Sequence, residues 1–325
     1  MAANRTRLDL IHVKGAASFE DQVETANRPV WHMLKTILVY LNGTARDLTV
    51  LATALQVGRL FDAHLDCLHV VPDRRSLIAR TTNVDLTEAM TLTDAFRALE
   101  TEAAKRVAHA RSIFFAFCED RHIPHADTPL DPRSVSAAWH EHVGNPAAVL
   151  IEEARFHDLV VLEGGARHDL ILSDDDIGRL IVSAGRPVLL VPSAIHGGSF
   201  KSIAIAWKNC PEAARAVTAA MPLLTRAETI VVLHADENSA KSAAEADDLD
   251  RFVDLLRRHG LRVEGRRVVP QGLTSPDAVL GKAIESGANL LVMGGFGHSR
   301  LREFVFGGFT QRVLDAAGLL VFLFH

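Results

Sequence analysis

A chain of 325 residues exceeds one typical domain and, at roughly 150 residues per domain, has the length for two. Its 48% hydrophobic and 23% charged residues exclude a disordered or fibrous chain. A net charge of -5 supplies no broad basic surface, which excludes nucleic acid and an anionic membrane as natural partners.

No apolar run reaches the roughly 20 residues of a membrane helix, and the N-terminus is polar and mixed in charge. Cys67, Cys118 and Cys210 are scattered without CxxC spacing, as expected in a reducing compartment, so the reading places the protein in the cytoplasm. Residues 1–33 have no clear apolar period and are read as an N-terminal extension.

The first strong strand signal is Ile37 to Thr44, followed by a helix with Leu48, Leu51, Ala52 and Leu55 on one face. A strand at Leu65 to Val71 comes next. The polar stretch Thr81 to Thr93 then reads as an arm, a lid or an interaction loop, and Thr101 to Phe117 as a helix. His140 and His142 would share a face if Trp139 to Val143 is a strand. A helix led by Pro146 enters the strand beginning Asp158-Leu, and Arg186 to Pro192 forms a last strand after a glycine helix end.

The pattern then begins again. Ile203 to Cys210 repeats the first strand, Ala213, Ala216, Val217 and Ala220 the first helical face, and Ile230 to Asp236 the second strand, with His234 at the place of His69. A helix led by Pro276 enters Asn289 to Met293, and Leu319 to His325 closes the copy. Apolar strands alternating with helices imply right-handed crossovers and parallel sheets covered on both faces. The boundaries read as 34–193 for the first domain, 194–200 for a small, glycine-bearing linker, and 201–325 for the second domain.

Ligands of such sheets bind beyond the carboxyl ends of the strands. In the second copy the strand Leu290 to Met293 runs into a segment bearing Gly294, Gly297, Ser299, Arg300, Arg302, Gly307, Gly308 and Thr310. A phosphate approaches backbone amides closely only where no Cβ intervenes, and a helix starting near Gly307 would aim its free N–H groups at the same anion. Thr310 adds a hydroxyl donor, and Arg300 and Arg302 are either phosphate partners or solvated charges. In the first copy Glu163 aligns with Gly294, and Asp174, Asp175 and Asp176 with Gly307, Gly308 and Phe309. Each carboxylate would repel a polyphosphate by about 4 kcal/mol at about 4 Å before screening.

The spacing of Gly294, Gly297 and Gly307 resembles the G-x2-G-x9-G-(S/T) phosphate motif of the universal stress protein family, with Gly308 standing at the hydroxyl position. The resemblance spans Leu34 to His325 as two copies and is to the tandem two-domain bacterial type. It implies two Rossmann-like α/β domains of the adenine nucleotide alpha hydrolase-like kind, each with a mostly parallel five-stranded sheet. It further implies ATP or a related adenine nucleotide, with magnesium as an accompanying ion, on the glycine loop of the second copy. Lys208 stands where nucleotide-binding members carry an aspartate, and Val232 and Val269 take the positions of an adenine wall, though both also suit a plain core. Family members commonly pair through the last strand, so Leu319 to Phe324 is expected to join the halves as an internal pseudo-dimer, or two chains as a homodimer.

Other classes fit less well. Neither first strand leads into G-x-G-x-x-G, Gly281-Lys282 is followed by Ala283, and no cluster completes a zinc site around His140 and His142. No nucleophile, base and orienting acid stand at readable spacing, so the sequence offers no catalytic residue, and any ATP hydrolysis is expected to be slow and incidental. The competing reading is a tandem scaffold that binds no nucleotide and acts through protein contacts.

Overall fold

In the computed structural model, residues 34–81, 92–127, 131, 133–164, 172–192, 200–235, 242–270, 272–295, 313 and 318–325 are described. The runs rich in Val, Leu and Ile become strands buried on both faces, as parallel strands covered by helices must be. The first half supplies β1 (Thr36–Tyr40), β2 (His64–Pro72), β3 (Ser136–Gly144), β4 (Leu159–Glu163) and β5 (Val188–Val191). The second supplies β6 (Ser202–Ala206), β7 (Thr229–Ala235), β8 (Val263–Val268), β9 (Leu290–Gly294) and β10 (Leu320–Phe324).

The two sets form one ten-stranded sheet in the order β3-β2-β1-β4-β5-β10-β9-β6-β7-β8. Each half is parallel throughout, and the join is antiparallel, with Val321 opposite Leu190. Read inward from either end, the order is the same. The last strand thus pairs the halves within one chain, and both strand edges at the centre are consumed.

The internal repeat holds at the level of register. Ile37 pairs with Leu65 and Leu159, while Ile203 pairs with Ile230 and Leu290. His69 and His234 therefore occupy one position. Each ring bonds through Nδ1 to the carbonyl just past the first strand, at 2.8 Å to Leu41 and 3.1 Å to Trp207.

Helices α1 (Asp47–Phe61), α3 (Leu92–Arg121), α6 (Pro211–Leu224) and α7 (Ser242–Arg258) cover one face, and α4 (Pro146–Ala154), α5 (Asp174–Ser183) and α8 (Ser275–Glu285) the other, with α2 (Arg74–Thr81) short and peripheral. Their starts follow local chemistry. Asn145 and Thr274 cap α4 and α8 through side-chain oxygens, with Pro146 and Pro276 in the first turn. Both cores contain residues of both halves, and Leu34–His325 forms one compact unit.

Some boundaries depart from the sequence reading. α3 begins at Leu92 and α2 ends at Thr81, so helix reaches both ends of the polar arm, whose residues 82–91 lie outside the described set. The buried face of α1 contains Val50, Leu51, Ala54, Leu55 and Phe61, whereas Leu48 is exposed. Phe200, counted as linker, is buried in the core, while residues 193–199 lie outside the described set.

Candidate functional site

Strand order reverses between β1 and β4 in the first half and between β6 and β9 in the second, and a crevice opens at such a point beyond the carboxyl ends. In the second half the residues leaving β6 are Trp207, Lys208, Asn209 and Cys210, and α6 starts at Pro211. Trp207 lies flat on Phe252 of α7, with centroids 3.6 Å apart. Asn209 Nδ2 donates to Asp248 at 2.8 Å, tying the same loop to α7. Lys208 is exposed, so its ammonium is a solvated point charge at the rim of the crevice.

Gly294 ends β9 against the first turn of α6. A Cβ there would sit 2.6 Å from the Ala213 nitrogen and 2.7 Å from the Glu212 carbonyl carbon. Its missing side chain therefore makes room for protein backbone. Gly295 N donates to the Phe324 carbonyl at 2.9 Å, and its own carbonyl faces His325 Nδ1 at 2.9 Å. Gly297, Ser299, Arg300, Arg302, Gly307, Gly308 and Thr310 lie outside the described residues.

The two residues named for an adenine wall separate. Val232 is fully buried among Leu249, Phe252 and Val253 and is a core residue, not a wall, because its side of β7 is covered by α7. Val269 follows β8 and is 60% exposed.

The first half fills the corresponding crevice with its own side chains. Glu163, at the position of Gly294, is buried and paired with Arg46 at 2.8 Å, and Asn42 Nδ2 lies 3.4 Å from its other oxygen. Asp47 accepts from the backbone amides of Asn42, Gly43 and Thr44 at 2.9, 2.8 and 3.3 Å. Burial pushes its carboxyl up to about 6, against those three bonds and with the help of nearby Glu163. Gly43 has φ +75 and lies under α3, where a Cβ would stand 2.5 Å from the Arg106 carbonyl oxygen. At α5 the aspartates occupy the helix N-terminus themselves: Ser173 and Asp176 form a capping box, and Arg179 pairs with Asp176.

Sequence reasoning missed a cluster on the opposite face. His64, His140 and His157 gather on Asp66 beside a cleft of about 330 Å³. His140 and His142 do share a face of β3, but His140 bonds to Asp66 at 2.8 Å and His142 lies 3.8 Å from Glu153. Among the described residues no His, Cys, Asp or Glu group is arranged to hold a metal. No helix among them is long and apolar enough to cross a membrane.

Similarity to known proteins follows the fold. A universal stress protein from Archaeoglobus fulgidus DSM 4304 superposes with a TM-score of 0.61 at 15% identity, covering 89% of this chain and 97% of its own. A Pseudomonas aeruginosa UCBPP-PA14 structure carrying the same family assignment gives 0.56 at 14% identity, covering 91% and 95%. A functionally unknown protein of Pseudomonas aeruginosa PAO1 gives 0.53 at 16%, covering 90% and 92%. At these identities the likeness is one of fold, and it extends over both halves. No curated protein matches the chain. Residues 33–172, a little under half of the chain, match the model of the Universal stress protein family, and the fold seen in the solved members extends through both halves.

Proposed function

We propose that this protein is a cytoplasmic stress-response protein whose second half binds an adenine nucleotide, ATP foremost, and whose first half does not. One observation carries the reading: at a shared register position, β9 ends in Gly294 where β4 ends in Glu163, a buried carboxylate held by Arg46. The second crevice lies at a reversal of strand order and is followed by the glycine spacing that the sequence presents. Magnesium would accompany the phosphates, and the bound state rather than turnover would carry the signal.

The test is calorimetric titration of ATP, ADP and AMP, with and without magnesium, into wild type and Thr310→Ala, together with analysis of nucleotide released on denaturation. Saturable binding that Thr310→Ala weakens about tenfold supports the reading. Absence of both heat and released nucleotide overturns it.

A second reading, a ligand-free scaffold, has its own support. Gly294 is explained by its contact with α6 whether or not a ligand is present.

A further inference from the structure

Asp66 sits within a mostly buried strand, on the sheet face covered by α4. The equivalent position in the second half, one past Ile230, is Val231, so the fold itself accepts an apolar residue there. The polar cluster is therefore an addition to the first half.

Its hydrogen bonds constrain a proton. His157 is 8% exposed; its Nε2 lies 3.0 Å from Asp66 Oδ2 and its Nδ1 2.8 Å from the Glu153 carbonyl. A carboxylate and a carbonyl only accept, so both ring nitrogens must donate, and the ring that makes both bonds is an imidazolium. The remaining groups facing this pair come from three elements. On β2, His64 Nε2 is 3.5 Å from Asp66 Oδ1 while its Nδ1 meets Ser136 Oγ at 2.8 Å; on β3, His140 donates to Asp66 Oδ1 at 2.8 Å. His142 of β3 and Glu153 of α4 face each other across the cleft at 3.8 Å. On β1, Thr36 turns instead to Asp158.

We propose that the Asp66 cluster is a proton-operated latch, in which the His157 imidazolium ties the turn after α4 to β2 and loss of its proton frees that turn and widens the cleft. A neutral ring can keep only one of the two bonds, and either loss detaches His157 from Asp66 or from the end of α4. Burial opposes charge on His157, but its bonds to Asp66 and the Glu153 carbonyl outweigh that and hold its pKa above the ordinary value. Burial likewise opposes charge on Asp66, yet the bonds from His157 and His140 and the nearby His64 ring hold it far below the carboxylate range, so it stays an anion throughout. A raised histidine contributes stability fully below about pH 6.5 and loses it as pH rises through the folded value, so the latch is shut in acid and released toward alkali.

The experiment is imidazole nitrogen NMR on the full chain from about pH 5 to about pH 10, with His157 assigned through His157→Gln, alongside amide exchange corrected for its intrinsic pH dependence. The expected result is a His157 midpoint above about 6.5, both nitrogens protonated below it, and loss of protection around residues 154–158 that tracks the midpoint while β6 and β9 stay protected. Asp66→Asn should lower the midpoint by about one unit or more, and His157→Gln should remove the pH dependence of protection. A neutral His157 at about pH 6, or exchange that ignores its midpoint, overturns the latch, and both are read on wild type.

Discussion

Glu163 and Gly294 are one position in two copies of a strand, each four residues beyond a leucine paired with the same isoleucine of the first strand of its half. One is a buried carboxylate locked to Arg46, the other a bare α-carbon against α6. The difference between the halves at the crevice thus starts from a single side chain.

Gly294→Ala is expected to destabilise the protein by about 1–3 kcal/mol, because the new Cβ meets backbone atoms at 2.6 and 2.7 Å and α6 would have to shift. Gly295→Ala is the milder comparison, since its Cβ comes under 3 Å only to a side-chain atom, the Ile181 Cγ2 methyl at 2.9 Å, while the Leu323 Cδ2 and Phe324 carbonyl oxygen lie at ordinary contact distances of 3.8 and 3.9 Å. Urea unfolding of the two variants decides the comparison, and equal costs would contradict the packing described. Gly294→Ala is for the same reason a poor probe of ligand binding, which is better read from Thr310→Ala.

Phe252→Ala should cost about 3–5 kcal/mol, since it removes a buried ring and leaves Trp207 without its stacking partner. Trp207 emission should move to the red as the indole gains water. An unchanged spectrum together with unchanged stability would show that the stack contributes nothing.

Lys208 bears on the ligand itself. If phosphates lie over the β6–β9 crevice, Lys208→Ala should weaken ATP more than AMP, and the difference should shrink as salt rises, because an exposed ammonium acts through screened charge. Titrations at two ionic strengths measure this. Equal effects on ATP and AMP would place Lys208 away from the phosphates.

Much of the fold was legible because its signals are local. The apolar runs at Ile37 and Ile203, the Pro146 and Pro276 helix starts, and the paired histidines His69 and His234 all follow from short-range pattern. The antiparallel seam of Val321 on Leu190 left alternatives open, since an apolar strand does not declare which edge it meets. The Asp66 cluster was missed because its partners lie 74 and 91 residues away for His140 and His157. One sign was available: a carboxylate at Asp66, inside a run otherwise suited to full burial, must be satisfied by something. Val232, offered both as an adenine wall and as plain core, is core, and Gly294 has a packing reason, its contact with α6, that the glycine spacing does not reveal.

Asp47 gives a pH signature of opposite sign to an ordinary carboxylate. Its folded value is raised from 3.8 to about 6, so between these the folded protein holds more protons than the unfolded chain. Its contribution to stability therefore falls as pH rises through that window, by at most about 1.4 kcal/mol per pH unit. Asp47→Asn should flatten this part of the profile, while offering one acceptor oxygen to amides that the carboxylate served with two. Asp47→Ala leaves the Asn42, Gly43 and Thr44 amides without that acceptor and should cost about 2–4 kcal/mol at neutral pH. Denaturant midpoints of wild type and both variants across this range provide the measurement. A wild-type profile that rises from about pH 4 to about pH 6 no less steeply than that of Asp47→Asn would refute the raised carboxyl.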